Sequence, residues 1–360
     1  MQSFGALVLF HRFAIDRNRP PYARNTREMP TSQTARQSVS RLVEPQPSPQ
    51  LVLPETFPGS THGKSTLQRL LATGEIRRVA PGVFTREHAP LADTYSSRLW
   101  EHKLRISASA WKLSPDEVVS HLSGAVLWNL WGFDPPSLVH TIAPRRYPRQ
   151  PIGRRRVCNS VPPEDLTERS GVPVTGLERT AIDAMRVVPM HRALAIADRA
   201  LYFGASREGM VAINESLISN RKRAVCSFLL PLAHAGADSP PEAYMRLLGF
   251  VAGIRELVPQ LRVRIQGESF YLDAGDPTIR LALEYDGKDK YALNPHALYR
   301  EKLREDALRA TGWTVLRLTS NDLRNPANVV LRIERILERL GASTKRADFP
   351  GRSTLFAHWR

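Results

Sequence analysis

The stretch LALEYDGKDKY at 281–291 constrains this chain most. Alternate residues of a half-buried strand share a face, so Glu284 and Asp286 project together. Like charges at that spacing repel and raise each other's pKa unless a cation stands between them. That cation is either a basic side chain or a metal ion. Glu284 lies between Leu283 and Tyr285, where a lone carboxylate would be costly. The fold around this strand therefore has to supply positive charge.

The neighbouring sequence supplies the rest of such a fold. DSPPEAYMRLLGFVAGI predicts a helix with Ser239 as N-cap, Pro240 at its first position and Glu242 at capping-box spacing. LRVRIQGESFYLDAGD and IRLALEYDGK alternate as strands across a turn at Asp276-Pro277. PHALYREKLREDALRATG predicts a helix stopped by Gly312, WTVLRLT a further strand, and NPANVVLRIERILERLG a closing helix that starts at Asn325 and Pro326. Helix, strands, helix, strand, helix implies a mixed sheet flanked by helices over 236–343.

Four acids of this unit are candidates for one site: Glu242 on the first helix, Asp273 on the second strand, Glu284 and Asp286 on the third. Asp273 and Glu284 fall on strands joined by a tight turn. Mg²⁺, or Mn²⁺ in its place, takes hard oxygen ligands and would polarise a phosphodiester and activate water. Three of these acids also have a structural reading: Glu242 in a capping box, Asp273 as a turn former, Glu284 in a salt bridge. Lys288, Lys290 and Lys302 fall within 15 residues, in a chain holding eight lysines. A compact ammonium suits orienting water or steadying a phosphorane.

Upstream, STLQRLLATGEIRRVAPGVFTRE reads as a helix capped by Ser65 and stopped by Gly74, then a hairpin around Pro81-Gly82 carrying Arg77 and Arg78. Helix plus basic hairpin is the second half of a winged helix, with no first helix ahead of it. Residues 91–235 read as mainly helical. LSPDEVVSHLSGAVLWNLWGF opens with Ser114 and Glu117 at capping-box spacing, and VTGLERTAIDAMRVVPMHRALAIADRAL repeats the device with Thr175 and Glu178. Between them two strands flank a loop with Arg145, Arg146, Arg149, Arg154, Arg155 and Arg156, which reads as a phosphate-contacting loop or as a solvated one. His121 follows Ser120 without an acid to complete a triad, so a core or hydrogen-bonded histidine is expected.

A net charge of +16 points to a polyanionic partner, most simply DNA. Cys158 and Cys226 lack metal-ligand spacing and read as buried thiols in a reducing cytoplasm. No run is long enough for a membrane span. Residues 1–50 and 344–360 read as a disordered extension and a flexible tail.

FYLDAGDPTIRLALEYDGKDKY, followed by YREKLREDALRATGWTVLRLT, resembles the very-short-patch-repair-endonuclease-like domains of the PD-(D/E)XK nuclease superfamily. Asp273, Glu284, Asp286 and Gly287 match its motif positions and Glu242 matches its helix acid. The resemblance covers about 236–323. It implies a restriction-endonuclease-like sheet, a metal held by Asp273, Glu284 and Asp286, and phosphodiester hydrolysis. The lysine that names the superfamily is Asp286 here, so Lys288 or Lys290 would act from a shifted position, with Lys302 or Arg304 touching phosphate. Over 65–230, GEIRRVAPGVF, VVSHLSGAVLW and VPVTGLERTAID resemble the AbiEi antitoxin family, which implies DNA binding and, in some relatives, control of a toxin–antitoxin operon.

The sequence thus predicts an α+β or α/β multidomain protein: a partial winged-helix-like unit at 51–90, an α-rich antitoxin-like region at 91–235, and an endonuclease-like unit at 236–343. The expected function is metal-dependent DNA cleavage. The alternative is a non-catalytic DNA-binding regulator or antitoxin, with a cognate toxin as its partner.

Overall fold

The computed structural model describes Gln46 and residues 51–88, 95–145, 150–287 and 295–342, the side chains of 295–301 excepted. Lys288, Lys290, Arg146 and Arg149 lie outside the described residues, as do the tail 344–360 and, Gln46 apart, the expected extension 1–50. Among the described residues the architecture is a mixture of helices with three sheets. The described residues belong to one compact unit, Val43–Arg360.

The first sheet is small. Strand β1 (Phe57–Pro58) precedes helix α1 (Lys64–Ala72) and the hairpin β2 (Arg77–Ala80) and β3 (Val83–Thr85), in the order β1-β3-β2. Leu70, Ile76 and Phe84 bury the helix against the hairpin. The N-cap of α1 is Gly63, without a side-chain bond, so Ser65 sits inside the first turn rather than capping it. Ahead of α1, Gly59–Thr61 forms a single 3₁₀ turn where a winged helix would have its first α-helix.

The middle region keeps most of its regular residues in helices, as expected, and adds more strands than the two expected. After α2 (Tyr95–Ala110) come β4 (Val118–Val119), α3 (His121–Leu127), β5 (Val139–Ala143), β6 (Arg154–Cys158), β7 (Leu166–Arg169) and β8 (Val172–Thr175). These strands form a five-stranded mixed sheet in the order β6-β5-β4-β8-β7. β5 and β6 are the two strands expected around the arginine loop, whereas β4, β7 and β8, of two to four residues, carry too little alternation to be read. The Ser114–Glu117 pair does make its bond, Ser114 N–H donating to Glu117 Oε2 at 3.3 Å, but no helix follows until His121. Likewise Gly176, not Thr175, is the N-cap of α4 (Leu177–Met185), and Pro189 separates α4 from α5 (Met190–Tyr202). Helices α6 (Arg207–Ser216) and α7 (Arg223–Leu229) complete the region. Cys226 is buried as expected, whereas Cys158 ends edge strand β6 and is exposed.

The last region follows its local signals closely. Helix α8 (Pro240–Ala252) has Ser239 as N-cap, accepting from the Glu242 N–H, and ends at Gly253, whose φ of 113° a side chain would resist. Strands β9 (Val258–Ile265) and β10 (Glu268–Asp276) join through Gln266 and Gly267, both at positive φ, the conformation of a tight hairpin turn. The Asp276 carboxylate accepts from the Thr278 and Ile279 N–H groups and turns the chain into β11 (Leu281–Asp286). Helix α9 (Pro295–Ala310), β12 (Thr314–Thr319), α10 (Ser320–Leu323) and α11 (Pro326–Arg339) follow. The sheet order is β12-β11-β10-β9, with β11 parallel to β12 and the other pairs antiparallel.

One hydrophobic core crosses the 235/236 boundary. It runs from Val119 and Val174 through Leu194 and Ile196 to Tyr244, Leu248, Leu283 and Leu316. A buried ion pair ties the two sides, Arg246 Nη2 reaching both Asp198 oxygens at 3.1 Å.

Candidate functional site

The four acids are spent on different partners. Glu242 sits in the first turn of α8. Its Oε1 accepts from the Ser239 hydroxyl at 2.7 Å, and its Oε2 accepts from the Asp238 N–H at 3.2 Å and from Gln260 Nε2 at 3.1 Å. The capping role therefore occupies both oxygens. Asp273 Oδ2 accepts from the Tyr285 N–H at 2.8 Å. Burial, and then the Asp273 charge, push the Asp238 carboxyl above its ordinary pKa.

Glu284 is 7% exposed and answers the charge question with arginine. Arg304 on α9 grips it with both terminal nitrogens, Nη1 donating to Oε2 at 3.1 Å and Nη2 to Oε1. Arg304 also donates to the Tyr271 carbonyl at 2.9 Å. Arg317, the parallel partner of Glu284 on β12, adds its Nε at 3.8 Å. A fork-on-fork pair of this kind is strong and directional. Arg304 is thus engaged by a carboxylate and is not the open phosphate ligand the sequence suggests. Lys302, two residues earlier on α9, is exposed.

Asp286 differs from the other three. It is half-buried at the end of β11, and its Oδ1 is buried without a hydrogen-bond partner. As arranged, it alone of the four offers such an unpartnered buried oxygen to a cation. Among the described residues no group of three or more His, Cys, Asp or Glu side chains could hold a metal ion. The described acids fit a guanidinium at Glu284 rather than a divalent ion shared with Asp273.

The basic cluster divides by strand alternation. Arg154 and Arg156 point one way from β6 and clasp Glu117, whose side chain is fully buried, with Arg154 Nε 3.5 Å from Oε1 and Arg156 Nη2 on Oε2. Thr141 donates to Glu117 Oε1 at 2.7 Å. Burial pushes the Glu117 carboxyl up, but the bonds from Arg156 and Thr141 and the Arg154 charge outweigh it and hold its pKa below the ordinary value. Those two arginines are structural. Arg155 between them is exposed, as is Arg145, which lies 3.5 Å from Asp116.

On the first unit, Arg77 is half-buried and bonded to Glu101 Oε1 at 2.8 Å, while Arg78 is exposed with its guanidinium 5.6 Å from the centre of the Phe84 ring. Exposed Lys64, Gln68 and Arg69 line α1, and Arg86 follows β3. The sequence reading missed the counter-ions. Arg304 and Arg317 lie 20 and 33 residues beyond Glu284, and no periodicity reaches that far.

No family model matches the chain. The uncharacterized proteins Rv2248 and MT2308 of Mycobacterium tuberculosis strains H37Rv and CDC 1551 are each 31% identical over 222 residues, covering 58% of this chain and 78% of theirs. The crystal structure of the RV2827C protein of M. tuberculosis aligns with a TM-score of 0.34 at 14% identity, over 57% of this chain and 79% of that one.

Proposed function

The chain belongs to the family of the mycobacterial proteins Rv2248 and MT2308, and from that premise we propose that it is a DNA-binding regulator whose C-terminal unit is nuclease-like in its order of elements. The observation that carries this reading is where the charge lies. Residues 51–235 hold 24 basic against 16 acidic residues, whereas 236–343 hold 16 against 15. A nuclease unit working alone would need its positive surface beside its acids. Here the excess lies upstream, where Lys64, Arg69, Arg78 and Arg86 are exposed on a helix and hairpin, and Arg145 and Arg155 on the middle region. Exposed cations of this kind contact phosphates and position a duplex without reading its sequence. The resemblance to AbiEi antitoxins supports the same role, with a cognate toxin as the further partner.

Binding of the full chain to duplex DNA, followed by fluorescence anisotropy across a salt series, tests the proposal. The logarithm of the affinity should fall steeply with the logarithm of salt concentration. Replacing Arg78 and Arg86 by Ala should flatten the slope by about 1 for each phosphate that is no longer neutralised. A slope near zero would sink the reading.

One observation favours a second reading, metal-dependent hydrolysis: the unpartnered Asp286 oxygen beside buried Glu284. Plasmid incubated with the protein and Mg²⁺, Mn²⁺ or EDTA separates the two readings. Divalent-dependent nicking abolished by Glu284→Gln favours the nuclease, and intact plasmid throughout favours the regulator.

A further inference from the structure

The middle sheet gathers two histidines and a buried arginine that the proposed function does not use, beside exposed Arg155, which it does. His121 opens α3 at a φ of 49°, a backbone conformation costly for any residue with a side chain and kept only where its surroundings enforce it. Its Nδ1 lies 2.9 Å from Ser120 Oγ, and its ring meets that of His140 edge to face with centroids 6.1 Å apart. His140 on β5 stands in register with Arg155 on β6. Arg155 is exposed and makes no ion pair among the described residues. On α4, packed against α3, Arg179 is 3% exposed. It donates Nε to Asp183 and Nη1 to Asp165, and its Nη2 is buried with no partner.

We propose that His121, His140 and Arg155, backed by Arg179, form an oxyanion site that takes a phosphate group. The charges around the cluster sum to +1: Arg105, Arg155 and Arg179 stand against Asp165 and Asp183, both of which Arg179 holds. Burial first holds both imidazoles below their ordinary pKa, His140 at about 4 with the charges of His121 and Arg155 adding to it; at His121 the Asp183 charge works against burial, while Arg179 and Arg155 reinforce it. Neutral imidazoles among cations are donors waiting for an acceptor. A divalent cation is disfavoured, because Arg155 and Arg179 repel it and no three-ligand set stands here among the described residues. A phosphate supplies the missing negative charge and several acceptor lone pairs at once. The other groups facing the cluster are His102 and Arg105 of α2 and Asp183 of α4. Of these only Asp183 carries negative charge, and Arg179 already holds it. Binding should therefore tighten as pH falls and the imidazoles protonate against the anion.

The inference does not rest on DNA binding, since inorganic phosphate is the first probe. With histidine imidazoles labelled by ¹³C, phosphate added to the full chain at constant ionic strength should move the His121 and His140 signals together to saturation. His191, buried against Tyr244, should stay still and report an intact fold. Arg155→Ala alters an exposed side chain and should weaken binding about tenfold. His140→Gln should weaken it as well. Displacement of phosphate by a 5′-phosphorylated oligonucleotide at lower concentration than its 5′-hydroxyl twin would assign the ligand to nucleic-acid ends; equal displacement would assign it to free phosphate. The proposal is overturned if no saturable shift occurs, or if Arg155→Ala binds phosphate as tightly as wild type.

Discussion

Glu117 in the middle sheet and Glu284 in the C-terminal sheet are built alike and end differently. Each is a buried carboxylate held by two arginines, Arg154 and Arg156 in one case, Arg304 and Arg317 in the other. Around Glu117 the clamp closes: both arginines come from one strand, and Thr141 adds a further donor. Around Glu284 the arginines come from a helix and a neighbouring strand, and Asp286 is left beside them with an unpartnered oxygen. The first arrangement holds β6 to the turn before β4, and what it leaves without a hydrogen bond is guanidinium nitrogen, Arg154 Nε and Arg156 Nε. The second leaves a carboxylate oxygen without one, an acceptor open to a cation, which is why it remains the candidate site. A buried ion pair by itself is weak support for function or stability; what its neighbours leave unsatisfied is more informative.

Breaking the closed clamp should have the largest effect. Glu117→Ala strands two buried guanidinium groups and should cost about 4 kcal/mol in urea unfolding. A loss near zero would mean that water reaches Arg154 and Arg156, and the two clamps would no longer differ.

Acid should separate the regions next. His102 and His191 are held at a pKa of about 3 and His140 at about 4, in each case chiefly by burial. The unfolded chain takes up these protons near pH 6.5 and the folded chain does not, so stability present above pH 6.5 is lost as pH falls toward 4. Asp198 works the other way. Burial raises its carboxyl to about 6 despite the charge of Arg246, so its protonation favours the folded state as pH falls from 6. Between pH 6.5 and 5 a net loss on the order of 3 kcal/mol follows. The described side chains of 236–342 include no histidine. Hydrogen exchange at pH 5 should therefore expose α2, α3 and β5 before β10 and β11.

Opening the second clamp should cost less, because Arg317 remains. Arg304→Met should destabilise by about 2 kcal/mol. If Glu284 and Asp286 can accept an ion once the guanidinium is gone, Mg²⁺ should stabilise this variant and not the wild type. Equal response of both proteins would remove the distinction between an arginine site and a metal site.

The smallest effect belongs to Asp286→Asn, which removes a charge facing Glu284 and gives the orphan position its own donor. A gain of up to about 1 kcal/mol is expected. A loss above about 2 kcal/mol would show that the oxygen has a partner after all.

Much of the C-terminal unit was legible because its signals are local. Ser239 with Pro240 and Glu242, Gly253, Gly312, and Asn325 with Pro326 fix helix ends through atoms a few residues apart. The alternation of β10 and β11 and the Asp276 turn are local in the same sense. The requirement that Glu284 have a cationic partner could also be stated in advance, since a carboxylate in an apolar strand has few ways to exist.

Only the tertiary structure decided which partner it took. Glu284 meets Arg304 because α9 returns over the sheet, and Arg317 because β12 lies parallel to β11 in that register. Likewise the six-arginine cluster reads as one basic patch until β6 is seen to pair with β5. That pairing sends Arg154 and Arg156 inward to Glu117 and leaves Arg155 outside. Capping and periodicity act over about four residues, whereas ion-pair identity depends on which distant strands become neighbours. That choice is made by the burial of the whole core, to which each short segment contributes only a part.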